Sequence, residues 1–138
     1  MTARAITGIL PPLEREESLE ITKIYSVMDM LRADSPMIMQ RPYREVHHTV
    51  TRAALIGGGA VPRPGEISLA HGGVLFLDEL TEYRKEILEL LRQPLENRSI
   101  EISRAYGKYQ FPANFILVAA MNPCPCGCYP DMERCKCT

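Results

Sequence analysis

The stretch Gly72-Gly73-Val74-Leu75-Phe76-Leu77-Asp78-Glu79 constrains the fold of this chain more than any other. Four consecutive apolar residues leave a strand no polar face to turn to water. The segment is therefore predicted as a central parallel strand with helices over both of its sides. Two glycines open it and two carboxylates close it. A second apolar run, Phe115–Ala120, has the same character and stops at Asn122-Pro123. Between the two, Ile87, Leu88, Leu91 and Leu95 form the stripe of a helix from Glu82 to about Arg92. Thr81 is its expected cap, and Pro94 is expected to end or kink it. Ser99–Ser103 and Lys108–Phe111 flank Arg104–Gly107, a hairpin pattern with Gly107 in the turn.

Upstream, Ile21, Ile24, Met28 and Leu31 line one face of a helix from about Leu13 to Arg32. Pro11 and Pro12 precede it, and Glu14, Glu16 and Glu17 crowd its first turn, where the helix dipole favours negative charge. Met37–His48 reads as partly extended and Val50–Ile56 as a short helix. Gly57–Gly59 breaks that helix, and the prolines of Val61–Gly65 cannot continue it. Ile67–Ala70 is read as a short strand. Strand, helix, hairpin and strand in this order make an α/β fold built on a parallel sheet. Such sheets gather their chemistry beyond the carboxyl ends of the strands, where Asp78, Glu79 and Asn122 fall.

A chain of 138 residues, 46% hydrophobic and 24% charged, lies in the globular range rather than the disordered one. Sixteen basic residues against seventeen acidic ones give a net charge of −1, so bulk charge argues for no nucleic-acid partner and only a local patch can. No apolar run approaches the roughly 18–20 residues of a membrane span, and the N-terminus carries no secretion-signal pattern. The expected location is the cytoplasm.

Gly72–Leu80 has the form of a Walker B element. One carboxylate at a strand end holds the water shell of a magnesium ion, and a second orients and polarises the attacking water. Asp78 suits the first role and Glu79 the second. An asparagine after the neighbouring strand can donate to a γ-phosphate oxygen and accept from the lytic water, which makes Asn122 a sensor-1 candidate. The five cysteines, Cys124, Cys126, Cys128, Cys135 and Cys137, crowd the C-terminal end. They form a poor disulfide framework and suit metal ligation or a redox-sensitive tail better. His47 and His48 are adjacent and are expected on opposite sides of an extended segment. With His71 they are read as structural groups, at most packing near the site.

Taken together, GGGAVPRPGEISLAHGGVLFLDEL, LRQPLEN, ISRA and LVAAMNPCPCG resemble the magnesium-chelatase-like AAA+ ATPases, and most closely their competence-associated ComM/YifB-type branch. GILPPL and RPYREVHHT fit as well, although Glu45 and Val46 stand where that family usually has Ala-Pro. The resemblance implies a partial AAA+ αβα core over residues 1–123. An insertion at about Gly57–Ala70 and a hairpin before sensor 1 at about Ser99–Phe111 belong to it, and a Cys-rich segment follows over 124–138. It implies Mg-ATP as cofactor, Glu79 and Asn122 as catalytic groups, Asp78 as the Mg-ATP ligand, and a hexamer for the full-length form. It implies Cys124, Cys126, Cys135 and Cys137 as ligands of a structural zinc, with Cys128 extra or a substitute. Hairpins of this clade face a central pore, so Arg63, Arg104 and Lys108 become candidate DNA contacts, with ordinary surface charge as the equal alternative.

No G-x-x-x-x-G-K-[ST] motif occurs in the 138 residues. In the family, Met1–Thr7 corresponds to the helix that follows the phosphate-binding loop. The loop's strand lies in the sheet beside the sensor-1 strand, and without it that strand presents a free edge. The expectation is that these residues alone neither hold ATP tightly nor hydrolyse it, and that an isolated monomer folds poorly. The leading reading is part of an ATP-driven motor that processes DNA. A non-catalytic adaptor or decayed-gene product is the alternative from another class. A porphyrin magnesium-chelatase motor subunit is a third reading, and the cysteine tail argues against it.

Overall fold

In the computed structural model, residues 2–105, 107–122, 124, 126, 128, 131, 133–135 and 137 are described. Helices α1 (Thr2–Ile9) and α2 (Arg15–Val27) lead to strand β1 (Tyr43–Val46), helix α3 (Arg52–Ile56) and the short strands β2 (Gly57–Gly58) and β3 (Arg63–Pro64). Helix α4 (Glu66–Leu69) and strand β4 (Val74–Leu77) follow, then a 3-10 turn over Leu80–Glu82 and helices α5 (Lys85–Glu89) and α6 (Arg92–Asn97). Strands β5 (Ser99–Arg104), β6 (Gly107–Pro112) and β7 (Ile116–Ala119) complete the order.

The principal sheet is parallel, in the order β1-β4-β7, with Val74 opposite both Tyr43 and Ile116. The apolar run β4 is thus the central strand. Register puts Arg44, Val46, Leu75, Leu77, Leu117 and Ala119 on one face. There Val46, Leu75 and Leu77 pack with Leu55, Ile67, Ile87, Leu91, Ile100 and Ile102 into the core. The opposite face carries Tyr43, Glu45, Phe76 and Val118 and forms the floor of an open cleft under α1. β7 is entirely apolar yet only partly covered, with Ile116 45% exposed, because it is the sheet's outer strand.

Two polar hubs tie the helices to this sheet. Arg41 donates to the carbonyls of Pro11 and Gly72 at 2.6 and 2.7 Å and to both Glu17 carboxylate oxygens at 3.1 and 2.9 Å. One guanidinium thereby fastens the diproline, the start of α2 and the glycine pair before β4. Arg44 makes a two-point contact with Glu66 at 2.6 and 2.8 Å, which fixes α4 against β1. At Gly73 a Cβ would stand 2.0 Å from the Pro42 carbonyl oxygen, so only glycine lets these backbones meet.

Three expectations need correction. Ile67–Ala70 is a helix turn rather than a strand, with Glu66 in its first turn held by Arg44. Thr81 caps nothing, because the chain makes a 3-10 turn there and Arg84 precedes α5 instead. The helix expected to run unbroken to Arg92 divides into α5 and α6. Pro94 sits in the first turn of α6, where its missing N–H costs no bond, and Leu95 is 46% exposed rather than buried. The hairpin β5–β6 has Arg104 opposite Gly107, and Gly107 has φ 152°. Among the described residues no helix is long and apolar enough to cross a membrane.

Candidate functional site

β4 delivers Asp78 and Glu79 to its carboxyl end, where the sheet's parallel strands all point. The exits of β4 and β7 are joined by backbone bonds. The Ala120 N–H donates to the Leu77 carbonyl and the Leu80 N–H to the Ala120 carbonyl, each at 2.9 Å. Asn122 follows two residues on and is exposed at the same end of the sheet. All three sequence-chosen polar residues therefore lie at one edge.

The backbone turns sharply between the two acids. Glu79 has φ 54° and ψ 52°, a left-handed conformation that costs a non-glycine residue about 1 kcal/mol or more. Its N–H donates to Asp78 Oδ1 at 2.9 Å. This turn breaks the alternation of the strand and sends the two carboxylates in different directions. Asp78 lines the open cleft of ≈ 820 Å³ between α1 and the sheet, together with Arg4, Tyr43, Glu45 and Phe76. Arg4 sits over the Tyr43 ring at 5.4 Å from its centre, and Tyr43 stacks on Phe76 at 6.2 Å.

Glu79 turns toward β1 instead, where Oε2 lies 3.1 Å from His48 Nδ1 and 3.8 Å from His47 Nε2. The two imidazoles are 4.0 Å apart between centres. The expectation that adjacent histidines point apart fails because β1 ends at Val46. His47 begins a turn, closed by the Val50 N–H donating to the His47 carbonyl at 2.9 Å. Sequence reasoning missed this pair as site residues, although the place of the histidines directly after a strand was a signal of it. Tyr83 supports the arrangement: its hydroxyl donates to the Val46 carbonyl and its ring meets His48 edge-on at 6.4 Å. Burial first, then the Asp78 and Glu79 charges, push the Tyr83 hydroxyl up to about 12, so it remains a donor at all ordinary pH.

His71 belongs elsewhere. It is buried at the opposite end of β4, where Nδ1 accepts the Asn114 N–H at 3.1 Å and Nε2 faces Glu20 at 3.2 Å. That is a structural role, away from the acidic pair.

The basic residues singled out as DNA candidates fall on the two ribbons. Arg63 pairs with Gly58 in β2–β3 and is exposed. Arg104 reaches the same ribbon, with Nε 3.4 Å from the Gly59 carbonyl oxygen. Lys108 lies on β6 and is engaged with Glu101 at 3.1 Å.

Ligand atoms of Cys124, Cys126, Cys135 and Cys137 all lie within 4.8 Å of one another, and Cys128 is outside that group. The sulfurs of Cys124, Cys126 and Cys135 are 3.3–3.6 Å apart. Thiolates at about 2.3 Å from a tetrahedral zinc stand roughly 3.8 Å from one another, so this set fits such an ion closely. The hydrogen bond with the Cys128 backbone, followed by those with the Cys124 and Cys137 side chains, lowers the Cys126 thiol to about 6.

The family described as magnesium chelatase, subunit ChlI, matches residues 1–138. The YifB protein of Escherichia coli strain K12 is 50% identical over 138 residues, covering 100% of this chain and 27% of its own length. The competence protein ComM of Haemophilus influenzae is 50% identical over 129 residues, covering 94% of this chain and 25% of its own. The chain thus spans about a quarter of the length of these curated relatives. The solved structure of NtrX from Brucella abortus in complex with ADP covers 58% of this chain and 19% of its own, at TM-score 0.46 and 22% identity. With its whole length matched, the chain belongs to the magnesium-chelatase ChlI-subunit family, and within it is a magnesium-chelatase-like protein of the ComM/YifB type.

Proposed function

We propose that these residues form the hydrolytic half of the nucleotide site of an AAA+ ATPase. The observation that carries this reading is the acidic pair at the carboxyl end of the central parallel strand, bonded through Leu77, Leu80 and Ala120 to the strand exit that leads to Asn122. Asp78, facing the open cleft, would hold the hydration shell of Mg²⁺ in Mg-ATP. Glu79 would orient and deprotonate the attacking water, and Asn122 would hydrogen-bond that water and the γ-phosphate. Holding the triphosphate needs nested backbone N–H groups and a lysine, and the motif that supplies them is not among the 138 residues. By themselves these residues are accordingly inactive, and the motor works as a homo-oligomer, a hexamer by family resemblance.

DNA is the proposed substrate, supported by the competence relative's name and by Arg63 and Arg104 meeting around Gly58 and Gly59. Zinc is the proposed occupant of the cysteine set, as a structural ion with no open coordination position.

The test is a chimera of the Escherichia coli relative carrying these 138 residues in place of its own. The chimera is expected to hydrolyse ATP in the presence of Mg²⁺, while the 138-residue chain alone does not. Equal turnover by the chain alone, or an active chimera indifferent to Asp78→Asn, would overturn the assignment.

A further inference from the structure

The contact of Glu79 with two histidines resembles the donor set of a metal site. His47 Nε2, His48 Nδ1 and a Glu79 carboxylate oxygen all lie within 4.8 Å of one another. Two imidazoles and a carboxylate form a donor set that zinc accepts, with bond lengths of about 2.0–2.2 Å. Donors at that distance from a tetrahedral ion stand roughly 3.3 Å apart. The separations here, 3.1 Å for His48 and 3.8 Å for His47, bracket that edge.

A second observation supports the same reading. A histidine that ligates through one nitrogen characteristically donates a hydrogen bond through the other, which fixes its tautomer. His47 Nδ1 lies 3.1 Å from Thr49 Oγ1, a hydroxyl that accepts from it in the tautomer whose Nε2 lone pair is free for a metal. The His48 ring is steadied edge-on by Tyr83. His48 Nδ1 frees its lone pair when the neutral ring moves its proton to Nε2. Both His47 and Glu79 are well exposed, so an ion reaches the cluster and water takes a fourth position.

We propose that His47, His48 and Glu79 bind one divalent transition-metal ion of the zinc class, and that the bound ion withdraws the Glu79 carboxylate from hydrolysis. The second clause rests on the role proposed above for Glu79; the first does not. Mg²⁺ does not compete, since it prefers oxygen ligands and keeps its water, whereas imidazole suits zinc, copper, nickel and cobalt. The cluster is chemically distinct from the cysteine set, which offers sulfur alone.

The experiment is a Co²⁺ titration of the chimera, after zinc has been supplied to fill the cysteines and the excess removed. The expected result is one further equivalent of cobalt with visible ligand-field bands and no near-ultraviolet thiolate charge-transfer band. It is lost in His47→Ala/His48→Ala, weakened at least tenfold in the isosteric Glu79→Gln, and unchanged in Cys124→Ser/Cys126→Ser. Absence of that equivalent, its survival in the double histidine variant, or its loss only with the cysteines overturns the site. Single His47→Asn and His48→Asn variants, at an exposed and a half-buried position outside the core, are each expected to weaken binding at least tenfold. In the chimera, Zn²⁺ is expected to inhibit turnover over the range in which the site fills. Filling without inhibition overturns the withdrawal of Glu79 and leaves the metal site standing.

Discussion

The N–H of Leu80 donates to the carbonyl of Ala120 across 2.9 Å, and the N–H of Ala120 donates back to Leu77 at the same distance. This exchange continues the β4–β7 ladder past the end of both strands. It makes the acidic turn and the Asn122 segment one mechanical unit, and it gives the outer strand a definite polarity. In a parallel pair, a residue's N–H and C=O point to the same side and alternate along the strand. Ile116 and Ala120 bond to β4, so Leu117 and Ala119 direct their backbone groups at the free edge.

Proline substitution reads out that polarity. Ala120→Pro removes a donor used by β4 and is expected to cost about 3 kcal/mol in urea unfolding. Ala119→Pro removes a donor aimed outward and is expected to cost under about 1 kcal/mol, as prolines do on edge strands. Equal losses would contradict the observed register.

Leu75 is fully buried in the centre of the sheet, while Ile116 on the outer strand, opposite Val74, is 45% exposed. Leu75→Ala is expected to lose about 2–5 kcal/mol, and Ile116→Ala well under half of that. Calorimetric or denaturant unfolding of the two variants decides it.

Glu79 pays for its position in backbone strain. Glu79→Gly removes the side-chain clash at φ 54° and is expected to raise stability by about 1 kcal/mol, even as it removes the carboxylate facing the histidines. A less stable Glu79→Gly protein would mean that the His48 contact outweighs the strain.

The Arg41 hydrogen bond, with the Glu14 N–H next, holds the Glu17 carboxyl below its ordinary value of 4.5. A folded-state value depressed in this way contributes stability above about pH 4.5, which disappears as pH falls through the folded value. Arg41→Gln is therefore expected to lower stability at neutral pH and to flatten the acid limb of the stability curve. Parallel acid limbs for wild type and variant would count against the pair.

What the sequence disclosed follows from the length of each signal. β4 and β7 were legible because four to six apolar residues in a row admit few readings, and the acids and amide at their ends followed from position. The α4 turn was not, because Ile67-Ser68-Leu69-Ala70 alternates like a strand and is too short to show a helical period. The N–H groups of Leu69 and Ala70, donating to the carbonyls of Gly65 and Glu66, settle it, and Arg44 holds Glu66 in place. Thr81 was misplaced because Leu80–Glu82 form a 3-10 turn, and Leu95 because the break between α5 and α6 interrupts the stripe after Leu91. His47 and His48 were misread by carrying strand alternation past Val46. Their meeting with Glu79 depends on a turn and a left-handed residue that no local pattern announces.

Nucleotide trapping in the chimera tests the central claim, that Asp78 and Glu79 are the hydrolytic pair, most directly. With Glu79→Gln and labelled ATP, Mg²⁺-dependent binding is expected close to wild type and turnover to fall about 100-fold or more, since the change removes the base and leaves the phosphate contacts alone. Turnover within a few-fold of wild type would contradict it.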